Sequence, residues 1–164
     1  MFTRAFFTTL MVALLAVGCS SNKPKNAQDG ANGNGSNNGL TLELNGDSDS
    51  NKAGGLQTIF FAFDSSTLDE AAKNTLKSNA DFLKANAKVD IQVEGHCDER
   101  GGRQYNLALG ERRAKSVKDT LIAFGIESKR VSTISYGNER PVSEGHDESA
   151  WSKNRRGNFV VTAK

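Results

Sequence analysis

The chain is short of cysteine, of unbalanced charge and of long apolar runs, and each shortage narrows what it can be. Only two cysteines, Cys19 and Cys97, occur in 164 residues. One lies near the N-terminus and the other in the body of the chain, so a disulfide framework does not organise the fold. No Cys-x-x-Cys or His-x-x-x-His spacing is present, and His96, Cys97, Asp98 and His146 do not make a metal centre by pattern. Basic and acidic residues nearly cancel, 21 against 19, for a net charge of +2. The charges are interspersed, as on an ordinary solvated surface. Asn154-Arg155-Arg156 is too small a basic patch for a nucleic-acid partner. The apolar run Ala5 to Val17 falls short of the roughly 20 residues that a membrane-spanning helix needs.

What is present begins with an address. Residues 1–18 read as a secretory signal peptide. Arg4 and the free amine supply a positive start, the run from Ala5 is broken only by Thr8 and Thr9, and Gly18 is small. Leu15-Ala16-Val17-Gly18-Cys19-Ser20-Ser21 resembles a bacterial lipobox. That resemblance implies cleavage before Cys19, a diacylglycerol on its sulfur and acylation of the new amine. Several acyl chains anchor stably where one binds only marginally. Ala16 departs from the larger aliphatic residue usual three places before the cysteine, and an ordinary cleaved signal is the alternative reading. Ser20 follows where an aspartate would favour the inner membrane. The resemblance therefore implies an outer-membrane, lipid-anchored protein facing the periplasm.

Residues 19–56 read as the lipidated N-terminus and a flexible tether. Asn, Gly, Ser and Asp dominate, and Asn32 to Gly39 is of low complexity. Such a stretch buries too little apolar surface to offset its ordering entropy. Leu40-Thr41-Leu42-Glu43-Leu44 alternates like a short strand, yet in this setting it is expected to be mobile. A flexible chain of this length has a reach of roughly 30–35 Å.

Residues 57–164 read as the folded domain. Thr58 to Phe63 is an apolar, β-prone run, expected as a buried strand. Thr67-Leu68-Asp69-Glu70 fits a capping box with Thr67 as N-cap. Ala72, Leu76, Ala80, Leu83 and Ala87 then recur at helical spacing, giving a helix to about Asn86. Val89 to Glu94 alternates as a second strand. Leu107, Gly110, Ala114, Val117, Leu121 and Phe124 mark a second helix, with Gly125 as its C′ residue and Ile126 covering its end. Val131 to Tyr136 reads as a third strand and Asn158 to Ala163 as a fourth, with a short helix or loop between them. The order β-α-β-α-β-(short helix)-β predicts an α/β sandwich, a mixed sheet with helices on one face.

The chemistry gathers in Glu94-Gly95-His96-Cys97-Asp98-Glu99-Arg100-Gly101-Gly102-Arg103-Gln104-Tyr105-Asn106, which joins the C-terminal end of a strand to a helix. Ligand sites favour that place in α/β folds. Asp98 offers a carboxylate, and Arg113 lies two turns into the helix beside its buried stripe. Two readings fit the spacing. The pair can hold a zwitterion, the acid taking an ammonium and the guanidinium a carboxylate. It can also be an internal Asp98–Arg113 salt bridge that merely fixes the loop.

Gly95 to Gly101, then Tyr105-Asn106-Leu107-Ala108-Leu109-Gly110-Glu111-Arg112-Arg113-Ala114, resembles the peptidoglycan-associated lipoproteins of the Tol–Pal system, among the OmpA-type C-terminal domains. The resemblance runs from Ile59 to Val161 and includes Phe61-Ala62-Phe63-Asp64, Ser135-Tyr136-Gly137, Gly145-His146-Asp147-Glu148 and Ser152 to Arg156. It implies an OmpA-like fold, no enzymatic activity and no cofactor. It further implies binding to peptidoglycan through the diaminopimelate of the stem peptide, by Asp98 and Arg113 with Asn106 shaping the pocket. Phe63, Asp64 and Arg156 fall at the same site by the resemblance, with Arg155 as the other candidate from that pair. The implied protein partner is the periplasmic β-propeller of the Tol system, binding over the wall site, and the implied role is envelope integrity and outer-membrane constriction at division. Gly102 departs from the threonine many relatives carry there.

Two other readings stand beside this one. His96-Cys97-Asp98 invites a cysteine hydrolase with Cys97 as nucleophile and His146 as partner, although adjacent loop residues do not by themselves make that geometry. His146 reads more simply as a brace for the turn at Gly145 to Glu148. A wall anchor independent of the Tol system is the third reading.

Overall fold

A computed structural model of the protein describes residues 41–164. The signal peptide, Cys19 and the first part of the expected tether lie outside the described residues. The elements are β1 (Ile59–Phe60), α1 (Glu70–Ala85), β2 (Asp90–His96), α2 (Arg103–Ala123), β3 (Val131–Gly137), α3 (Glu148–Asn154) and β4 (Arg156–Ala163), with a 3-10 turn at Ser128–Arg130. The expected order holds. The four strands form one mixed sheet in the order β1-β4-β2-β3. Strands β2 and β3 are parallel, as the α2 crossover between them requires, and β4 is antiparallel to both β1 and β2.

The core lies between the sheet and the two long helices. Ile91, Val93, Phe159 and Val161 project from the sheet, Leu76 and Leu83 from α1, and Val117 and Leu121 from α2. This is the alternation read from the strands meeting the three-and-four spacing read from the helices. The end of α2 follows expectation closely. Gly125 has φ +93° and donates to Ile122 O at 2.9 Å, while Ile126 donates to Leu121 O at 3.0 Å. Those two bonds form a Schellman motif. Helix α2 also lies hard against β2 and β3. A Cβ on Gly95 would stand 1.8 Å from Gly110 O, and one on Gly110 would stand 2.3 Å from Ser135 Oγ. Both positions therefore demand glycine.

Three expectations need correction. The expected strand at Thr58 to Phe63 is only Ile59–Phe60, at the sheet edge, with Phe60 and Phe63 exposed. Beyond Phe61 the carbonyls of Ala62 and Ser65 turn to Arg113, and Asp64 takes φ +51°. The chain leaves the sheet there to form a cavity wall. The N-cap of α1 is Asp69, not Thr67: its side chain accepts from Ala72 N at 2.7 Å. Aspartate caps as well as threonine, and the helix starts one turn-fraction later.

The third correction moves the domain boundary. The stretch Leu42 to Leu56, expected to be tether, packs against the domain. Ala53 and Leu56 are buried in the core. Asn45 N donates to Val161 O at 2.8 Å, Val161 N to Gly46 O at 3.0 Å, and Ser48 N to Phe159 O at 2.9 Å. Strand β1 covers only the Arg156–Gly157 end of β4, and Asn45 to Ser48 supplies the partner for the rest. Polar composition misled the expectation because these bonds are made by backbone, which asparagine, glycine and aspartate carry like any residue.

Candidate functional site

The site is built where β2 ends. His96 closes the strand, Cys97 to Gly102 form the loop, and α2 begins at Arg103. The loop, α2 and the Phe63–Asp64 turn together enclose a cavity of about 150 Å³. Asp98, Arg113, Asn106, Phe63 and Asp64, all singled out from sequence, line it, together with Arg100 and Tyr105.

Arg113 has no exposed surface. It donates from Nε to Ser65 O at 2.8 Å, from Nη1 to His96 O at 2.8 Å and from Nη2 to Ala62 O at 3.0 Å. Its ring neighbour is Phe61, 5.1 Å away. Among the described residues no carboxylate lies within salt-bridge distance of it. The internal Asp98–Arg113 salt bridge, one of the two readings of the spacing, is thus not formed. Carbonyl dipoles hold the cation in place, and burial disfavours its charge while Asp98, in the same cavity, favours it from a distance.

Asp98, by contrast, is buried and well partnered. It accepts from Arg100 N at 3.0 Å, from Arg100 Nε and Nη2 at 3.2 and 2.7 Å, and from Arg155 Nη1 at 3.3 Å. Burial alone would raise its pKa, but the hydrogen bonds from Arg100 and Arg155 prevail and hold the carboxyl below its ordinary range. Arg155 is itself fixed by Phe61 O at 3.0 Å and by Glu148. Asn106 donates to Arg100 O at 3.0 Å and so clamps the loop. Asp64 accepts from the Tyr105 hydroxyl at the rim.

Arg156 is not part of this cavity. It is buried elsewhere, donating from Nε to Asp49 at 2.7 Å and lining a separate cavity of about 470 Å³ with Asp49 and Thr58. Arg155, the C-cap of α3, faces Asp98, whereas Arg156 opens β4 and turns to Asp49. Sequence reading also gave no role to Arg100 or Tyr105. Nothing in the spacing shows that Arg100 folds back two residues onto Asp98.

The nucleophile–base arrangement is absent. Cys97 is buried, donates from Sγ to Asn106 O at 3.3 Å, and burial pushes its thiol pKa up. A thiol so placed is a poor nucleophile. His146 bonds Glu99 at 2.9 Å rather than Cys97. Glu99 also accepts from Trp151 Nε1 at 2.9 Å, so His146 braces the loop against α3 rather than only its own turn.

Comparison with known proteins now decides the family. The model of the OmpA family matches residues 60–155, more than half of the chain. The chain is 42% identical over 158 residues to the peptidoglycan-associated lipoprotein of Pseudomonas aeruginosa, covering 92% of each. With that of Mesorhizobium japonicum it shares 46% over 154 residues, covering 89% of this chain and 85% of the relative. The chain belongs to the peptidoglycan-associated lipoproteins of the OmpA family. The crystal structure of the peptidoglycan-associated lipoprotein from Burkholderia pseudomallei superposes with a TM-score of 0.61 at 38% identity, covering 63% of this chain and 88% of that one. The open mixed sheet with its two long helices is therefore the OmpA-like fold, and the protein is not an enzyme.

Proposed function

We propose that the protein is an outer-membrane lipoprotein, anchored through acylated Cys19 after signal cleavage and facing the periplasm, that grips peptidoglycan without a covalent bond. In this reading the unlinked amino-carboxyl centre of diaminopimelate enters the cavity at the end of β2. Its carboxylate meets Arg113 and its ammonium meets Asp98. The observation that carries the reading is the buried Arg113 guanidinium, which has carbonyl partners but no acid. A planar cation of that kind suits a carboxylate. The names and closeness of the relatives point the same way. The finer role in this reading is partnership with the periplasmic β-propeller of the Tol system over the same site, envelope integrity and constriction of the outer membrane at division.

The test is co-sedimentation of the full-length chain, held in mild detergent, with isolated peptidoglycan sacculi. The wild type is expected to pellet, free diaminopimelate to release it, and Asp98→Asn to stay in solution while remaining folded. A folded wild type that stays in the supernatant would overturn wall binding. Addition of the purified Tol β-propeller should displace the chain from sacculi; simultaneous binding of both would remove the shared-site reading.

A further inference from the structure

The cavity already holds a cation of its own. Arg100 donates from Nε and Nη2 to the two oxygens of Asp98, at 3.2 and 2.7 Å. Its guanidinium carbon lies 3.9 Å from the centre of the Phe63 ring and 4.1 Å from that of Trp151. A bidentate carboxylate and flanking aromatic faces are what an ammonium ligand would also seek. Yet Arg100 is not locked in. Its side chain is 31% exposed, on a loop whose next residue, Gly101, takes φ +95°. Glu148, largely exposed, stands 3.7 Å from Nη2 as an alternative partner. When Arg100 leaves, Asp98 keeps Arg155, which is buried and tied to Phe61 O.

We propose that Arg100 is a latch in the ammonium subsite, an internal competitor that must swing away from Asp98 before a ligand amine can take its place. The proposal rests on the reading of the cavity given above. It also predicts selectivity. An amine alone merely exchanges one cation on Asp98 for another and gains little. A ligand carrying a carboxylate beside the amine also neutralises Arg113, which supplies the net gain. The latch thus rejects simple amines while admitting amino-carboxyl centres.

Trp151 is the single tryptophan of the chain, and it reports directly on the latch. The full-length chain in detergent is titrated with meso-diaminopimelate, with cadaverine (the diamine lacking both carboxylates) and with sacculi, while Trp151 emission is followed. Diaminopimelate is expected to shift the wild-type emission, and cadaverine to leave it unchanged. Arg100→Ala is expected to show the shifted emission without ligand, to bind diaminopimelate and sacculi several-fold more tightly, and to accept cadaverine. Arg100→Lys, which keeps the charge but cannot span both carboxylate oxygens, should fall between. The latch is overturned if folded Arg100→Ala binds no better than the wild type, or if the wild type binds without any change at Trp151. Binding of sacculi by Arg100→Ala alone would support a latch stronger than the ligand. If neither protein binds and Trp151 never responds, wall binding fails, and the latch fails with it.

Discussion

The Nη1 of Arg113 lies 2.8 Å from the carbonyl oxygen of His96, so one hydrogen bond joins the middle of α2 to the last residue of β2. Two further bonds from the same guanidinium hold the chain leaving β1. Arg113 therefore fixes three segments at once. Arg113→Lys keeps the charge but not the planar fork, and leaves buried carbonyls short of donors. A loss of about 1–3 kcal/mol in stability is expected in urea unfolding, together with weakened binding of sacculi.

Asp98 makes stability depend on acid. Its carboxyl titrates below the ordinary range in the folded state, because the hydrogen bonds from Arg100 and Arg155 outweigh the opposing effect of burial. The stabilisation is then fully present above the unfolded carboxylate pKa and is lost as pH falls through the depressed folded value. Thermal unfolding of the wild type should therefore lose stability on acidification more steeply than Asp98→Asn does. Parallel pH profiles for the two proteins would remove that role.

His146 behaves in the opposite sense. Its pKa is raised, first by the hydrogen bond to Glu99 and then by the charge of that carboxylate. The His146–Glu99 contact is present below the unfolded histidine pKa and fades as pH rises through the folded value. NMR titration of the His146 ring should give a midpoint above that of an ordinary histidine. Glu99→Gln should bring it back down.

The contact between α2 and β2 leaves no room for a methyl group. Gly95→Ala places its Cβ against the backbone of Gly110, which cannot move without shifting the whole helix. Overpacking of this kind costs typically 1–3 kcal/mol, and here the upper end is expected. Chemical denaturation of Gly95→Ala against Gly102→Ala is the check, since a Cβ on Gly102 meets nothing within 4 Å.

The segment ahead of β1 belongs to the domain. A chain beginning at Thr41 should unfold at a clearly higher temperature than one beginning at Gln57, which lacks buried Ala53 and Leu56 and leaves part of β4 unpaired. Equal melting temperatures would return residues 41–56 to the tether.

The fold was largely legible because it rests on periodicity. Ile91 and Val93, or Val117 and Leu121, advertise their buried faces by spacing alone, and Gly125 marks the end of α2 by its freedom at positive φ. The site was legible in part. Asp98, Asn106 and Arg113, singled out by pattern, line one cavity, but which atoms satisfy them was hidden. Arg113 answers to carbonyls 17 to 51 residues away in sequence, and no side-chain pattern records where a carbonyl points. Arg155 and Arg156 are indistinguishable until the boundary between α3 and β4 falls between them. The pairing of Asn45 to Ser48 with β4 was invisible for the same reason as the carbonyls around Arg113: backbone partners leave no mark on composition.

That pairing also decides how the domain meets force. Any pull on the chain ahead of Thr41 reaches the three backbone bonds between Asn45–Ser48 and β4 before it reaches α1 or the cavity. Peeling the whole segment away would also draw Ala53 and Leu56 out of the core, so it carries load as part of the domain and not as slack ahead of it.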